Sequence, residues 1–305
     1  MSVGDRRPPE VVEAAFPYSK GLMAKTLMGT GLAPERAYEL ARKIERELRR
    51  SGERGSASAE RVYDVAAAVV AEHEDEEAVR ALRRLQALRE LEVPLVLLVG
   101  GATGTGKSSV ATEVAHRLGI TRVTSTDVVR QTMRAFFSDQ FMPSIHHSSF
   151  EAGETVEIPE GEDANPALLG FLEQTRNVLV GVQAVIGRAL EEGYSLMLEG
   201  VHLVPGALPR GYEGAVVCQC LLAIQDEREH ARHFWMRDAT SNGIRPMGKY
   251  LDALPDIRRI QEYLVERAAK ANVPVVENAR IERAVDEVIR LVLTEIERAQ
   301  DRSRR

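Results

Sequence analysis

The spacing of hydrophobic and polar positions changes near residue 92 of the chain. Before this point, apolar residues recur every three or four positions, which is typical of amphipathic helices. After it, short apolar runs alternate with helical stretches, which is typical of a parallel sheet with helical crossovers. The pattern therefore predicts a small helical region followed by a larger α/β domain.

Four helices are predicted in the first region. Ser19 can cap the first, and Pro34 suits the first turn of the second. One stripe of the second helix is apolar and consists of Ala37, Leu40, Ala41, Ile44 and Leu48. A Gly/Ser-rich break at 52–58 precedes a third helix over Ala59–His73. A charged fourth helix over 74–91 is expected to connect the region to the main domain.

The main domain is predicted to be a doubly wound parallel sheet of five strands with helices between them. The predicted strands are 95–99, 122–126, 194–198, 215–224 and 273–276. The stretch 138–163 has no clear period, and 240–251 is expected to be a polar loop. We expect a flexible N-terminus over 1–15, a helical unit over 16–75, a connecting helix over 76–92 and the α/β domain over 93–305. Ligands of such sheets bind at the carboxyl ends of the strands.

A phosphate-binding loop is predicted after the first of these strands. The sequence GATGTGKS from Gly101 fits G-x-x-x-x-G-K-[ST], between an apolar strand and a helix predicted over Lys107–Leu118. Glycines allow the backbone to turn its N–H groups inward, Lys107 supplies charge for the phosphates, and Ser108 is an oxygen ligand for Mg²⁺. The predicted nucleotide-binding residues are Gly101, Thr103, Gly104, Thr105, Gly106, Lys107, Ser108 and Ser109. The alternative is a glycine-rich turn that matches by chance.

Two acidic residues and a histidine follow predicted strands at the same edge of the sheet. Asp127 follows the second strand, where a carboxylate can hold an acceptor hydroxyl or take its proton. Alternatively, Thr126 or Asp127 is only the cap that starts the next helix. Glu199 ends the apolar run YSLML, where it can order Mg²⁺ through water or can simply face solvent. His202 can contact an anionic substrate or stabilise the turn before Pro205.

Basic residues are concentrated in two further segments. The first, on and after a helix predicted over 227–239, holds Arg232, Arg237, Arg245 and Lys249. Such a segment can be a lid that supplies arginines to a transferring phosphate, or a solvated face of mixed charge. The second holds Arg130, Arg134, His146 and His147. Anion contact is favoured there, because no further Cys or His completes a metal-ligand set.

Composition excludes several classes of function. A net charge of −6 argues against general nucleic-acid binding, and no apolar run approaches the length of a membrane span. The first ten residues carry no apolar signal core, so a cytoplasmic location is expected, and a homo-oligomer is compatible with these features. Cys218 and Cys220 lie two positions apart in a predicted strand and are expected to be small core residues. Arginine outnumbers lysine, which suits forked contacts to phosphates, although codon bias or heat adaptation produces the same surplus.

Several segments together resemble the 2-phosphoglycerate kinase family. They read GGATGTGKSS, STDVVRQTMR, HHSSFEA, EGVHLVPG, EREHARHFWMRDA and KYLDALPDIRRIQEYL, and cover essentially all of 90–300. The front segment FPYSKGLMAKTLMGTGLAPERAYELARKIE resembles the ATP-cone-like helical unit of that family. It departs from a full ATP-cone, which begins with a basic strand segment, because only Arg6 and Arg7 stand there.

The resemblance implies transfer of the ATP γ-phosphoryl group to the 3-hydroxyl of 2-phosphoglycerate, with Mg²⁺ as cofactor. Lys107 and the loop amides would hold ATP, Ser108 and Glu199 would order Mg²⁺, and Asp127 would position or deprotonate the hydroxyl. The residues expected around the two sets of phosphates are Arg130, Arg134, His147, His202, Arg232, Arg237, Arg245, Lys249 and Arg258, of which Arg232 and Arg237 are expected to act in catalysis. One triphosphate does not need so many cations, which favours an acceptor that already carries a phosphate. The alternatives are a kinase for another small phosphorylated acid, such as a mevalonate phosphate, and a nucleotide-sensing regulator.

Overall fold

The protein divides into two compact units in the computed structural model. The first is Met1–Glu90 and the second is Leu91–Arg305. The structure describes residues 18–52, 57–89, 91, 93–157, 165–241 and 247–303.

The described part of the first unit is helical. Its helices are α1 (Lys20–Met28), α2 (Pro34–Arg50), α3 (Ala59–His73) and α4 (Glu76–Arg89). Ser19 caps α1 by accepting a hydrogen bond from the Leu22 amide, and Pro34 occupies the first turn of α2, both as predicted. The apolar stripe of α2 is buried, because the same five residues pack against α1 and α3.

Helix α4 packs within the first unit. Its Ala78 and Leu82 are buried in the same apolar core as Leu27 of α1, Leu40 of α2 and Val70 of α3. The charged helix that we expected to act as a connection therefore contributes to the core of the front unit, and the boundary between the units follows Glu90.

The second unit is built on a five-stranded parallel sheet, as predicted. The strands are β1 (Leu95–Gly101), β2 (Arg122–Ser125), β3 (Leu196–Gly200), β4 (Val216–Ala223) and β5 (Val275–Glu277). Their order is β2-β3-β1-β4-β5, with every neighbouring pair parallel. The central strand β1 is buried along its whole length, which explains its run of apolar residues without alternation.

Helices cover both faces of this sheet. They are α5 (Lys107–Leu118), α6 (Thr126–Phe136), α7 (Pro166–Glu192), α8 (Glu227–Ser241), α9 (Met247–Asp252), α10 (Leu254–Ala271) and α11 (Ile281–Ser303). Part of the expected polar loop 240–251 is therefore helical, since α8 extends to Ser241 and α9 follows. Two 3₁₀ turns, Pro143–His146 and Ala152–Thr155, lie in the aperiodic stretch. Among the described helices, none combines the length and the apolar composition needed to cross a membrane.

The two cysteines are buried on β4 and are not bonded to each other. Burial raises the pKa of Cys220 to about 12 and raises that of Cys218 as well. Both thiols are therefore protonated at neutral pH and serve as small core residues, as the sequence predicted.

Candidate active site

The phosphate-binding loop joins the end of β1 to the start of α5. Gly106 precedes α5 with a φ of 78°, in the left-handed region that favours glycine. The Lys107 ammonium donates a hydrogen bond to the Ala102 carbonyl oxygen across the loop at 2.7 Å. The Thr105 hydroxyl donates to the same carbonyl at 2.9 Å. The loop is thus closed on itself by its own lysine and threonine, at the amino end of a helix that attracts anions.

The charge on Lys107 is set by its surroundings. Burial lowers the pKa of its ammonium, and the nearby carboxylates of Glu199 and Asp127 oppose this effect only in part. The three predicted residues therefore lie close enough to interact electrostatically. An anion placed against the loop would add a further negative charge beside Lys107 and favour its protonated form.

Glu199 lies beside the loop, as its position at the end of an apolar run suggested. It pairs in register with Val99 of β1 and Ser125 of β2, and its side chain is buried. One carboxylate oxygen, Oε1, accepts a hydrogen bond from the Ser108 hydroxyl at 2.9 Å. A hydroxyl and a carboxylate at this distance supply the hard oxygen ligands, direct or through water, that Mg²⁺ prefers. The donor set therefore fits that cation.

Asp127 lies in the first turn of α6 rather than before it. The cap of α6 is Ser125, whose hydroxyl accepts from the Val128 amide, so neither Thr126 nor Asp127 has that role. The Asp127 side chain is 68% exposed and accepts a hydrogen bond from Arg130 Nε at 3.2 Å. Because this carboxylate is exposed, a hydroxyl could reach it, and its contact with the acceptor stays a prediction.

Arg130 holds the segment that follows α6. Its Nη1 donates to the carbonyl oxygens of Ile145 and His147, both at 2.9 Å, and its side chain is buried. Gln174 of α7 donates to the same His147 carbonyl at 3.1 Å. Arg130 was predicted to bind substrate phosphate; in this structure it fixes the backbone of the segment and orients Asp127 instead.

His202 is part of a buried chain of hydrogen bonds. Gln174 Nε2 donates to backbone carbonyls, so its Oε1 is the acceptor for His202 Nε2–H at 2.8 Å. The other ring nitrogen, Nδ1, then accepts from the Thr126 hydroxyl at 2.8 Å. Burial lowers the pKa of His202 to about 3, so the ring is neutral. Both nitrogens are occupied and the ring is fully buried, so His202 differs from the predicted anion contact: it links α6 to α7.

The other predicted basic residues already have partners where their side chains are described. Arg258 donates to the carbonyl oxygens of Ile224 and Gln225 after β4. The surface contacts are Arg134 with Gln131, His147 with Glu154, Arg232 with Glu229 and Lys249 with Glu151. Arg237 lies on α8 and Arg245 in 242–246, and neither side chain is among those described. The argument from spare cations for a second phosphate thus finds no support in the described set.

Three residues beside the loop were not predicted. His230 and His233 of α8 and Asn278 after β5 contact the carbonyl oxygens of Thr103, Gly104 and Thr105. The signal in the sequence was the spacing of the two histidines, one turn apart in EREHARHF, and the position of Asn278 at the carboxyl end of a strand. The signal from Asn278 is the weaker one, because a lone asparagine after a strand usually belongs to a turn.

The segment after α6 borders the phosphate loop on the side where we expect the acceptor to bind, which we call the acceptor side. The Ser149 hydroxyl lies 3.4 Å from the Thr103 hydroxyl of the loop. Lys249 of α9 forms an ion pair at 2.7 Å with Glu151 of the same segment. Burial raises the pKa of Glu151, but hydrogen bonds from Lys249 and Ser148 outweigh this effect and lower it, so the carboxylate is charged.

Comparisons with known proteins place the chain in a family. It is similar to the 2-phosphoglycerate kinase of Methanopyrus kandleri, at 34% identity over 284 residues that cover 92% of this chain and 85% of the relative. It is also similar to those of Methanothermobacter thermautotrophicus and Methanocaldococcus jannaschii, each at 37% identity over 278 residues, covering 90% and 91% of this chain and 89% and 88% of the relatives. No protein-family model matches the chain.

The solved structures that align with the chain are more distant. A gluconokinase from Sinorhizobium meliloti aligns at 16% identity over 69% of this chain and 95% of its own length, with a TM-score of 0.37 that is too low to bear on the fold. The sequence relatives are decisive, because they exceed 30% identity over nine-tenths of this chain. The chain belongs to the 2-phosphoglycerate kinase family.

Proposed function

We propose that this protein transfers the γ-phosphoryl group of ATP to the 3-hydroxyl of 2-phosphoglycerate, giving 2,3-bisphosphoglycerate and ADP. The observation that carries the proposal is the convergence of Lys107, Ser108 and Glu199 at the phosphate loop. This arrangement occurs in a chain whose relatives, at 34–37% identity, are named 2-phosphoglycerate kinases. The catalytic groups also favour phosphoryl transfer over nucleotide sensing alone, because a sensor needs no carboxylate at the acceptor side.

The nucleotide phosphates would lie against the loop amides and the amino end of α5. Lys107 would exchange its hydrogen bond with the Ala102 carbonyl for contacts with the phosphate oxygens. Beside the loop, a cleft of about 610 Å³ reaches from Ser108 and Ser109 to Ile281 and Val285 of α11. The side chains of Ile281 and Val285 would meet the face of a nucleobase, and the rest of the lining is polar.

Mg²⁺ would be held by Ser108 and, directly or through water, by Glu199. When bound, the cation neutralises charge that develops on the transferring phosphoryl group. The 2.9 Å hydrogen bond between the two side chains keeps both oxygens at the same side of the loop. The buried position of Glu199 on β3 prevents it from turning away into solvent.

Asp127 would accept the proton of the 3-hydroxyl as the new O–P bond forms and the bond to the ADP oxygen breaks. Arg130 keeps its carboxylate oriented at 3.2 Å. The acceptor's own phosphate would draw on exposed cations such as Arg134 and Lys249. Their present surface contacts with Gln131 and Glu151 are weak enough to be exchanged.

The test is a comparison of acceptors by ADP release. We expect kcat/KM for 2-phosphoglycerate to exceed that for glycerate by on the order of 10²-fold or more, because glycerate lacks the phosphate that would bind cations such as Arg134 and Lys249. 3-Phosphoglycerate and phosphorylated mevalonates test the position of the phosphate and the size of the acceptor. A phosphorylated mevalonate that exceeds 2-phosphoglycerate would keep the reaction type and overturn the acceptor.

Two lysine variants, one in the phosphate loop and one on the surface as its control, test the role of the loop in this assay. Lys107→Ala should abolish turnover without unfolding, because the side chain acts on phosphate charge. Lys270→Ala removes an exposed lysine of α10 that pairs with Glu266, and should leave turnover unchanged. Near-normal turnover of folded Lys107→Ala would overturn the role of the loop.

A further inference from the structure

The backbone carbonyls of the phosphate loop are held from outside by side chains of other elements. A loop that turns its N–H groups toward a phosphate must turn its carbonyls away. The Thr103 oxygen lies 2.8 Å from His230 Nε2, and the Gly104 oxygen lies 3.1 Å from His233 Nδ1. The Thr105 oxygen accepts from Asn278 Nδ2 at 2.8 Å. Three consecutive carbonyls are thus each bonded by a different side chain.

The chemistry of these bonds fixes the protonation of the histidines. A carbonyl oxygen only accepts, so His230 must carry its proton on Nε2 and His233 on Nδ1. Burial lowers the pKa of His230 to about 4, so its other nitrogen, Nδ1, carries no proton at neutral pH. That nitrogen is buried, with no hydrogen-bond partner among the described residues. The ring therefore leaves one buried nitrogen unpaired while it donates to the loop.

Close packing brings the donors to the loop. A Cβ at position 104 would clash with the Phe234 ring, and a Cβ at position 106 would clash with the Asn278 amide nitrogen. Gly104 and Gly106 both have φ in the left-handed region, at 86° and 78°. These glycines therefore serve the approach of α8 and Asn278 from outside, in addition to the approach of a phosphate from inside.

An aromatic stack also packs against the His230 ring. His230 stacks on Phe234 with centroids 5.4 Å apart, and Phe234 stacks on Tyr250 of α9 at 5.2 Å. Tyr250 in turn meets Phe150 edge to face at 5.7 Å, in the segment that borders the acceptor side. The donor to Thr103 is therefore anchored on α8, α9 and the acceptor-side segment together.

We infer that His230, His233 and Asn278 are positioning residues that hold the phosphate loop in its anion-binding conformation. They act through the loop backbone, to which each of them is hydrogen-bonded. Removing a donor would leave a loop carbonyl unpaired, and the loop would gain conformations in which its N–H groups do not converge. The inference rests on the proposed function only in that the loop binds a nucleotide.

The test measures the affinity of the full-length protein for MgADP without acceptor, by calorimetry, together with thermal melts. His230→Leu, His233→Leu and Asn278→Leu each remove one donor, and we expect each to weaken binding by roughly tenfold. His230→Gln and His233→Asn retain an N–H near the original position, and should stay within a few-fold of the wild type. His73→Leu is the matched control, because His73 Nδ1 bonds the Val69 carbonyl within a helix of the other unit.

The outcomes separate positioning from general stability. A merely structural role would lower the melting temperature of a variant while its folded form binds MgADP with unchanged affinity, which would overturn the inference. Equal losses in His230→Leu and His230→Gln would overturn it too, since the donor would not be the cause. If His230→Leu does not fold, the His233 and Asn278 variants decide the question. Turnover of the wild type with 2-phosphoglycerate tests the proposed acceptor independently.

Discussion

The Ser108 hydroxyl donates a hydrogen bond to Glu199 Oε1 at 2.9 Å, although the two residues lie 91 positions apart in the chain. The contact joins the first turn of α5 to the end of the neighbouring strand β3. It follows from the order of the sheet, because β3 lies beside β1 and in register with it up to Gly200. The order of the sheet therefore places the Glu199 carboxylate beside the first turn of α5, where the phosphate loop ends.

Glu199→Gln should raise the Mg²⁺ concentration needed for half-maximal turnover and lower kcat, together by about 10–100-fold. The amide keeps the shape of the side chain but loses the charge that attracts the cation. Ser108→Ala should change the Mg²⁺ dependence in the same direction. The matched control is Glu266→Gln, which removes an exposed carboxylate of α10 that pairs with Lys270. A Mg²⁺ dependence equal to that of the wild type would contradict the assignment.

Asp127→Asn should lower kcat by on the order of 10²–10⁴-fold while the affinity for ATP changes little. The carboxylate lies on α6, outside the phosphate loop, and interacts with Lys107 only through its charge. Separate measurements of ATP binding and of turnover distinguish the two effects. Asp139→Asn, in the segment after α6, is the control. Loss of ATP affinity at unchanged kcat would move Asp127 from the acceptor to the nucleotide or metal site.

The sequence was sufficient to predict the features that depend on residues close together in the chain. The loop between β1 and α5, the five strands and the buried stripe of α2 were predicted because their patterns are local. The partners of Arg130 and Arg258 were not predicted. Both side chains donate to backbone carbonyls, which lie after α6 and after β4. Every residue has a carbonyl, so no sequence pattern shows which one will accept. Helix α9 was missed for a related reason: six residues are too few to show a helical period.

The same limit applies to the histidines of the candidate site. His202 was expected at the substrate because it follows a strand at the ligand-binding edge of the sheet. In the structure the ring is buried and bonded to Gln174 of α7, 28 positions away, and no sequence pattern marks such a contact between side chains. The spacing of His230 and His233 is visible in the sequence. Their targets are loop carbonyls more than a hundred positions away, so the pattern alone gave them no role.

Removal of residues 1–90 should leave a protein that folds and binds nucleotide. We propose this because the chain divides after Glu90 and the phosphate loop lies wholly in the second unit. This cut removes α4 together with the core of the first unit, to which it belongs. A cut after residue 75 would keep α4 without that core and expose its apolar residues Ala78 and Leu82. The comparison of both truncations by solubility and MgADP binding checks the boundary. An insoluble 91–305 fragment beside a soluble 76–305 fragment would contradict it.

Two buried neutral histidines should make the protein less stable in mild acid. The pKa of His202 is lowered by burial to about 3 and that of His230 to about 4, against 6.5 for an exposed histidine. Below pH 6.5 the unfolded chain therefore binds protons that the folded chain does not, and the free energy of unfolding falls as the pH falls. Between pH 6.5 and pH 5 each histidine should remove about 2 kcal/mol of stability.

Urea unfolding of the wild type and of His202→Gln at several pH values isolates the contribution of His202 to the pH dependence of the free energy of unfolding. Carboxylates also titrate in acid, but they do so in both proteins, so the difference in slope belongs to the histidine. Between pH 5 and pH 6 the wild type should lose stability faster than the variant by about 1 kcal/mol per pH unit. A proton NMR titration of the wild-type histidine rings gives the same information if the variant does not fold. If the rings of His202 and His230 titrate near pH 6.5, two assignments are contradicted. One is the buried set of hydrogen bonds that joins Thr126, His202 and Gln174, and the other is the neutral His230 ring that donates to Thr103.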